Sequence, residues 1–184
     1  MRISGGELRG RTVHCPPGVI RPAMDRMRES LFSIVEARFG GIADAAFLDL
    51  FSGSGLVGLE AYSRGARPVV LVEKDRGKRE VILRNCHDLD PAPQLRIEPV
   101  ERFVQRNRTP YPVVYLDPPF NYPYKENLLR RLATSRTLQE DALVVIHAPR
   151  SEGLSGVEDL LELVDQRDYG GSRLTFLRHR GPAR

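Results

Sequence analysis

The chain has 184 residues, 41% of them hydrophobic, and 28 Lys plus Arg against 24 Asp plus Glu give a net charge of +4. That length fits one ordinary domain with a small appendage and can bury a substantial core. The composition excludes collagen-like, disordered and disulfide-stapled classes, and no apolar run approaches the ~20 residues that span a bilayer. Two cysteines, Cys15 and Cys86, build no framework, and the opening RISGGELRGR has no signal-like apolar stretch. A cytoplasmic protein without membrane contact is therefore expected. The charge is uneven: residues 1–40 carry net +3, 41–90 net −1, 91–172 net −2 and 173–184 net +4. Folded onto one face, the two ends would attract a phosphate backbone.

In chain order, RISGGELRGRTVHC is broken by Gly5-Gly6 and Gly10 and predicts a small β-hairpin or hook ended by Pro16-Pro17-Gly18. Met24, Met27, Leu31, Ile34, Val35 and Phe39 recur at helical spacing and predict a helix over about 25–39. A repeating strand–helix pattern follows. Strands are predicted at 46–51, 68–73, 95–98, 112–117 and 142–147, with helices over 56–64, 75–89, 100–107 and 125–134 between them. Segment 155–163 reads as a further helix, and LVDQRDY and SRLTFLR flank Gly170-Gly171 as an antiparallel pair. Such alternation implies a Rossmann-like, mostly parallel seven-stranded sheet with helices on both faces and the last strand antiparallel. The expected organisation is an N-terminal hairpin and helix extension over 1–40 and the Rossmann-like domain over 41–184. Ligands of such sheets bind at the carboxyl ends of the strands.

Two motifs stand at those ends. The first is Asp49-Leu50-Phe51-Ser52-Gly53-Ser54-Gly55-Leu56-Val57-Gly58. A Gly-rich turn lets backbone approach a ligand closely, and the following helix offers unpaired N–H groups. Glu73 ends the next predicted strand, where a carboxylate can accept both hydroxyls of a ribose. Gly53, Gly55 and Glu73 thus fit a nucleoside-containing cofactor, either NAD or S-adenosylmethionine. The second motif is Asp117-Pro118-Pro119-Phe120. Two prolines remove two backbone donors and leave only acceptors. The Asp117 carboxylate adds more, and Phe120 offers a flat face. The set suits an exocyclic amine on a planar base, which hydride transfer does not need. The four histidines and two cysteines show no metal-ligand spacing, so no metal is expected.

With these residues the chain resembles the bacterial D-type small-subunit rRNA methyltransferase family. The resemblance runs over about residues 1–178. It is carried by Arg2-Ile3-Ser4-Gly5-Gly6, Leu8-Arg9-Gly10-Arg11, Arg21-Pro22 with Asp25 through Phe32, LDLFSGSGLVGLEAYSRGA, VEKD at 72–75 and LDPPF. It implies the class I S-adenosylmethionine-dependent fold and methylation of the N2 amine of one guanine in 16S rRNA, of the guanine 966 type. The substrate would be the 30S subunit or an assembly intermediate, and a monomer is the default. By resemblance, Phe51, Gly53 and Gly55 line the cofactor pocket, Asp49 supports its loop, Glu73 holds the ribose and Lys74 flanks the adenosine. Arg21, Pro22 and Arg26 close over the methionine end, and Arg2, Arg9 and Arg11 meet RNA. Asp117 through Phe120 hold the target amine.

The chain departs from the family pattern at several positions. Glu98-Pro99 stands where an Asp near the adenine is usual, with Glu98 as its substitute. Ala23 replaces a Thr, Phe120 a Tyr, and His147 a Glu at the end of the fifth strand; a lone His there reads as structural. Three other readings remain beside this one. Another RNA or DNA base could be the target, though no target-recognition insert is visible. A small NAD-dependent oxidoreductase would share the Gly-rich turn and Glu73 but not the Asp117 loop. An RNA-binding module with a dead cofactor pocket would not need Asp117-Pro118-Pro119-Phe120 intact.

Overall fold

The computed structural model describes residues 1–15 and 22–181, except for the side chains of 22–24. Pro16-Pro17-Gly18 and Arg21 lie outside the described residues. Helix α1 (Pro22–Phe39) precedes β1 (Phe47–Leu50), α2 (Leu56–Ser63), β2 (Val69–Glu73), α3 (Arg79–Cys86), β3 (Gln94–Ile97), α4 (Val100–Arg106), β4 (Tyr111–Leu116), α5 (Lys125–Thr134), β5 (Leu138–Pro149), β6 (Leu161–Tyr169) and β7 (Ser172–His179). The seven strands form one sheet in the order β3-β2-β1-β4-β5-β7-β6. β1 to β5 pair in parallel, and β7 runs antiparallel to both β5 and β6.

The order reverses between β1 and β4, so the crevice of the sheet opens where Asp49 and Asp117 stand. Val70, Val72, Leu48, Leu50, Val114, Leu116, Val144 and Ile146 face α4 and α5. Leu71, Val69, Phe47, Tyr115, Val113, Val145 and Leu143 face α1, α2 and α3. Burial on both faces explains why these strands read as continuous apolar runs rather than alternating ones.

The N-terminal segment is a hook with a single bridge pair, Arg2 with Thr12, rather than a laddered hairpin. Its Ile3 and Val13 belong to the same core cluster as α1 and the sheet. A buried polar cluster docks it. Glu60 on α2 accepts from the Ser4 amide (2.8 Å), the Ser4 hydroxyl (2.7 Å) and the Gly5 amide (2.9 Å). Arg28 on α1 donates to Glu60 at 3.1 Å and to the Arg2 carbonyl at 2.7 Å. Burial pushes the Glu60 carboxyl up, but Ser4, Arg64 and Arg28 outweigh it and leave it below its ordinary value. A Cβ at Gly6, which has φ +77, would overlap the Ser63 carbonyl, so only glycine lets the hook lie this close.

Three expectations need correction. The helix over 155–163 does not form: Leu161 and Leu163 belong to β6, and Val157 to Leu160 make one turn. The spacing of Val157, Leu160 and Leu161 is met by that turn, which buries Val157 and Leu161. Pairing of Leu161 with His179 then takes the rest of the segment into the sheet. The fifth strand starts at Leu138, not Ala142: Leu138 pairs with Tyr111 across a register shift, with Asp141 at φ 60. Finally, the third helix begins as a 3₁₀ turn, Arg76–Lys78, because Asp75 caps the Gly77 amide at 2.9 Å.

Candidate active site

At the carboxyl edge of the sheet a cavity of about 640 Å³ is lined by Met27, Phe51, Gly53, Lys78, Asp117 through Phe120, His147 and the β6–β7 tip, Tyr169 through Ser172. Both sequence motifs therefore meet in one space. The loop after β1 is held from below. Asp49, 1% exposed, accepts from the Gly58 amide at 3.0 Å and so fixes the start of α2. Burial drives its carboxyl well above the usual range, the Gly58 amide lowers it, and the charges of Asp117 and Glu73 raise it further. Gly58 packs so tightly on Leu71 that a Cβ would collide with it. Phe51 takes φ 65, a strained conformation for an aromatic residue, and its ring meets Tyr122 edge-on at 5.4 Å.

Glu73 is buried, and its carboxylate accepts from the Gly53 amide (2.9 Å) and the Asp75 amide (2.9 Å), with Lys78 Nζ at 3.3 Å. It thus shapes the Gly-rich turn and stands at its rim. Gly53 and Gly55 have φ 59 and 79. A Cβ at Gly53 would meet nothing nearer than the Phe51 carbonyl at 4.0 Å, so the turn leaves an open cradle on the cavity side.

The Asp117 loop is held by its neighbours. The Asp117 amide donates to the Leu50 carbonyl at 3.2 Å, which ties β4's end to β1's. Pro118 is buried, while Pro119 and Phe120 are exposed. Phe120 is 41% exposed, so its ring face is open to the cavity mouth. His147, at the end of β5, sets Nδ1 2.8 Å from Asp117 Oδ1, and its ring lies edge-on to Phe120 at 5.4 Å. Lys125 is 5% exposed and donates to the carbonyls of Phe120 (2.8 Å) and Tyr122 (2.7 Å) while pairing with Glu152 at 2.9 Å.

The structure distributes the expected residues unevenly. Phe51, Gly53 and Asp117 through Phe120 line the cavity, with Glu73 and Asp49 directly behind. Lys74 is exposed, and Lys78 is the lysine set against Glu73. The Glu98 carboxylate pairs with Arg106 at 2.7 Å, while its amide donates to the Glu73 carbonyl at 3.0 Å. Arg26 is exposed on α1, and Pro22 begins that helix. Arg2 and Arg9 are exposed on the hook, whereas Arg11 is paired with Asp88 and donates to the Asn85 carbonyl at 3.0 Å. At the other end of the chain, Arg173 pairs with Asp168 at 2.6 Å.

Sequence reasoning missed Lys78, Lys125, His147's contact and the β6–β7 tip. A signal existed for the lysines: they are two of only three in an Arg-rich chain. Among the described residues no cluster of His, Cys, Asp and Glu is arranged to hold a metal, and no helix is long and apolar enough to cross a membrane. Cys86 is buried, which pushes its thiol up to about 11.

A doubly wound sheet with this strand order, a Gly-rich turn after β1, an acid ending β2 and an acceptor loop ending β4 define the class I methyltransferase fold. A putative methyltransferase complexed with SAH shares that fold at TM-score 0.68, although only 16% identical, over 88% of this chain and 51% of its own. The family model described as Conserved hypothetical protein 95 matches residues 1–178. The Ribosomal RNA small subunit methyltransferase D of Escherichia coli K12 is 36% identical over 161 residues, 85% of this chain and 79% of that protein. The putative methyltransferase yhhF from Escherichia coli, a solved structure, superposes with TM-score 0.89 at 31% identity over 99% of each chain. The chain belongs to the ribosomal RNA small subunit methyltransferase D family.

Proposed function

We propose that this protein methylates rRNA of the small ribosomal subunit, using S-adenosylmethionine, at the exocyclic N2 amine of a guanine corresponding to position 966 of 16S rRNA. The observation that carries this reading is the meeting of Asp117-Pro118-Pro119-Phe120 with Phe51 and Gly53 in one cavity. An amine acceptor site beside a nucleoside cradle is what transfer of a methyl group to a base requires.

The residues fit the cofactor. The open cradle at Gly53 admits backbone-close contact, and Glu73 is fixed at its rim by two amides. With Lys78 Nζ as a third donor, the acceptor position left on Glu73 suits a ribose hydroxyl. Phe51 and Gly53 would flank the nucleoside, and Lys78 would sit beside Glu73. Bound there, S-adenosylmethionine supplies an electrophilic methyl group on a sulfonium sulfur.

The chain's own part is orientation and electrostatics. The Asp117 carboxylate and the carbonyls of the Pro-Pro loop accept the amine hydrogens. Guanine N2 is conjugated with its ring and is a weak nucleophile. Acceptors that favour a pyramidal nitrogen strengthen as positive charge develops on it, so they stabilise the transition state more than the ground state. Phe120, half-exposed at the rim, offers the face on which the base stacks. A base within a duplex does not reach such a slot, so the target is unpaired or flipped out.

Labelled methyl transfer to purified 30S subunits lacking the modification, followed by nucleoside digestion, tests the reading. N2-methylguanosine in 16S rRNA is expected. Methylation of cytosine or adenine amines instead, or of free RNA or DNA alone, would overturn the substrate assignment. Sedimentation alone and with subunits checks the expected monomer.

A further inference from the structure

The two buried histidines of the described chain differ in a way that points to function. His179, 4% exposed, places Nδ1 3.0 Å from the Gln139 carbonyl and Nε2 3.0 Å from the Ala133 carbonyl. Both ring nitrogens meet backbone, as expected of a histidine that holds structure. His147 is 7% exposed, yet among the described residues only Nδ1 has a partner, Asp117 Oδ1 at 2.8 Å, and Nε2 is buried with none. A buried polar atom left unpaired costs about 1–3 kcal/mol. Packing alone would be served better by an apolar side chain at that site.

We infer that His147 is a positioning residue for the Asp117 carboxylate: it donates Nδ1–H to Oδ1 and thereby aims the other acceptor positions of Asp117 at the substrate amine. This deepens the reading above and rests on Asp117 holding that amine. The contact of 2.8 Å requires one proton between a ring nitrogen and a carboxylate oxygen, and placed on Nδ1 it leaves Nε2 with a lone pair. Asp117 stands on a loop whose side chain is 30% exposed, so without a fixed donor water would compete for Oδ1 and the carboxylate would swing. His147 supplies that donor from a strand. Its backbone pairs with Leu174 across β5–β7, and its ring lies edge-on to Phe120. One side chain thus orients both the acceptor and the stacking ring of the site, and a site supported from rigid elements holds the geometry that loops alone lose.

Two variants separate the roles. His147→Leu removes both nitrogens, and His147→Asn keeps a donor near the place of Nδ1 and lacks Nε2. For His147→Leu, melting temperature stays equal or rises, calorimetric affinity for S-adenosylmethionine stays within about twofold, and kcat falls about tenfold to a hundredfold. For His147→Asn, most of that kcat returns. An unchanged kcat in His147→Leu, a loss that merely follows a lowered melting temperature, or an Asn variant as slow as the Leu one would each overturn the proposal. The imidazole nitrogen-15 shifts of the wild-type protein give a readout free of turnover. A protonated Nδ1 that changes in Asp117→Ala is expected, and an Nε2–H tautomer indifferent to Asp117 overturns it. Absence of methyl transfer by the wild-type protein would instead sink the proposed substrate, and the nitrogen shifts would then decide the role of His147 alone.

Discussion

The carboxyl edge of the sheet has two corners, and they are built on opposite terms. At the Glu73 corner the chain fills most of its own acceptor positions. The Gly53 and Asp75 amides and the Lys78 ammonium all converge on one carboxylate, and Asp49 caps the neighbouring helix from inside the core. At the Asp117 corner polar groups are held in place but left unsatisfied. Asp117 and Phe120 are partly open, and His147 keeps a nitrogen with no partner among the described residues. The difference matches what the proposed function asks of each corner. A cofactor cradle gains from being finished before its ligand arrives, because ordering is then not charged to binding. A site that stabilises charge developing on a substrate keeps acceptors free for that moment.

The largest effect should come from breaking the open corner. Asp117→Ala is expected to lower kcat by about a thousandfold, in the range of other preorganised electrostatic groups, while calorimetry still shows S-adenosylmethionine binding. Retained activity would place the amine acceptor elsewhere. Breaking the closed corner should do the reverse. Glu73→Gln is expected to weaken cofactor affinity by about ten- to a hundredfold and to lower stability by about 1–3 kcal/mol, since the Gly53 and Asp75 amides lose a charged acceptor. Calorimetry and denaturant unfolding on one preparation measure both.

A smaller and pH-dependent effect sharpens the contrast further. The Asp49 carboxyl is raised in the folded state, so its ionisation opposes folding. That opposition is absent below the unfolded carboxylate value of about 4, grows as pH rises from there and is complete once pH passes the folded value. Asp49→Asn should therefore stabilise the protein at neutral pH by about 1–2 kcal/mol, and melting curves should show the gain vanish in acid. A gain independent of pH would mean that the carboxyl is not the cause. The smallest effect lies away from both corners: Arg9→Gln on the hook should reduce the salt dependence of RNA binding by about one ion, leaving cofactor affinity alone. An unchanged slope would move the RNA surface off the hook. Arg11, already paired with Asp88, should contribute less than Arg9.

Much of this edge was legible in the residues. Apolar runs such as VVLV and PVVYL mark strands buried on both faces. The glycines after β1, Glu73 and the Pro-Pro loop announce themselves because their chemistry is local: φ values, lost donors, an acid at a strand end. The 155–163 segment failed for the opposite reason. One helical turn and the start of an edge strand share the same apolar spacing, and only the partner, β7, decides between them. Lys78 was passed over for Lys74 because neighbours in sequence near a strand end diverge in space.

By itself, then, the sequence determined the element order outside the 155–163 segment, the doubly wound sheet, the two turns at its carboxyl edge and the family likeness, all of which depend on short-range pattern. The tertiary structure alone decided which polar groups meet across distance. Glu60 draws Ser4 and Arg28 together to dock the hook, the glycine pair at the β6–β7 tip lines the cavity, Lys125 buries its charge under the Phe120 loop, and His147 reaches Asp117. Such contacts join residues far apart in the chain, and a buried charge or hydrogen bond leaves no periodicity to read. Its partner is set only when the strands and helices that carry the two groups have packed.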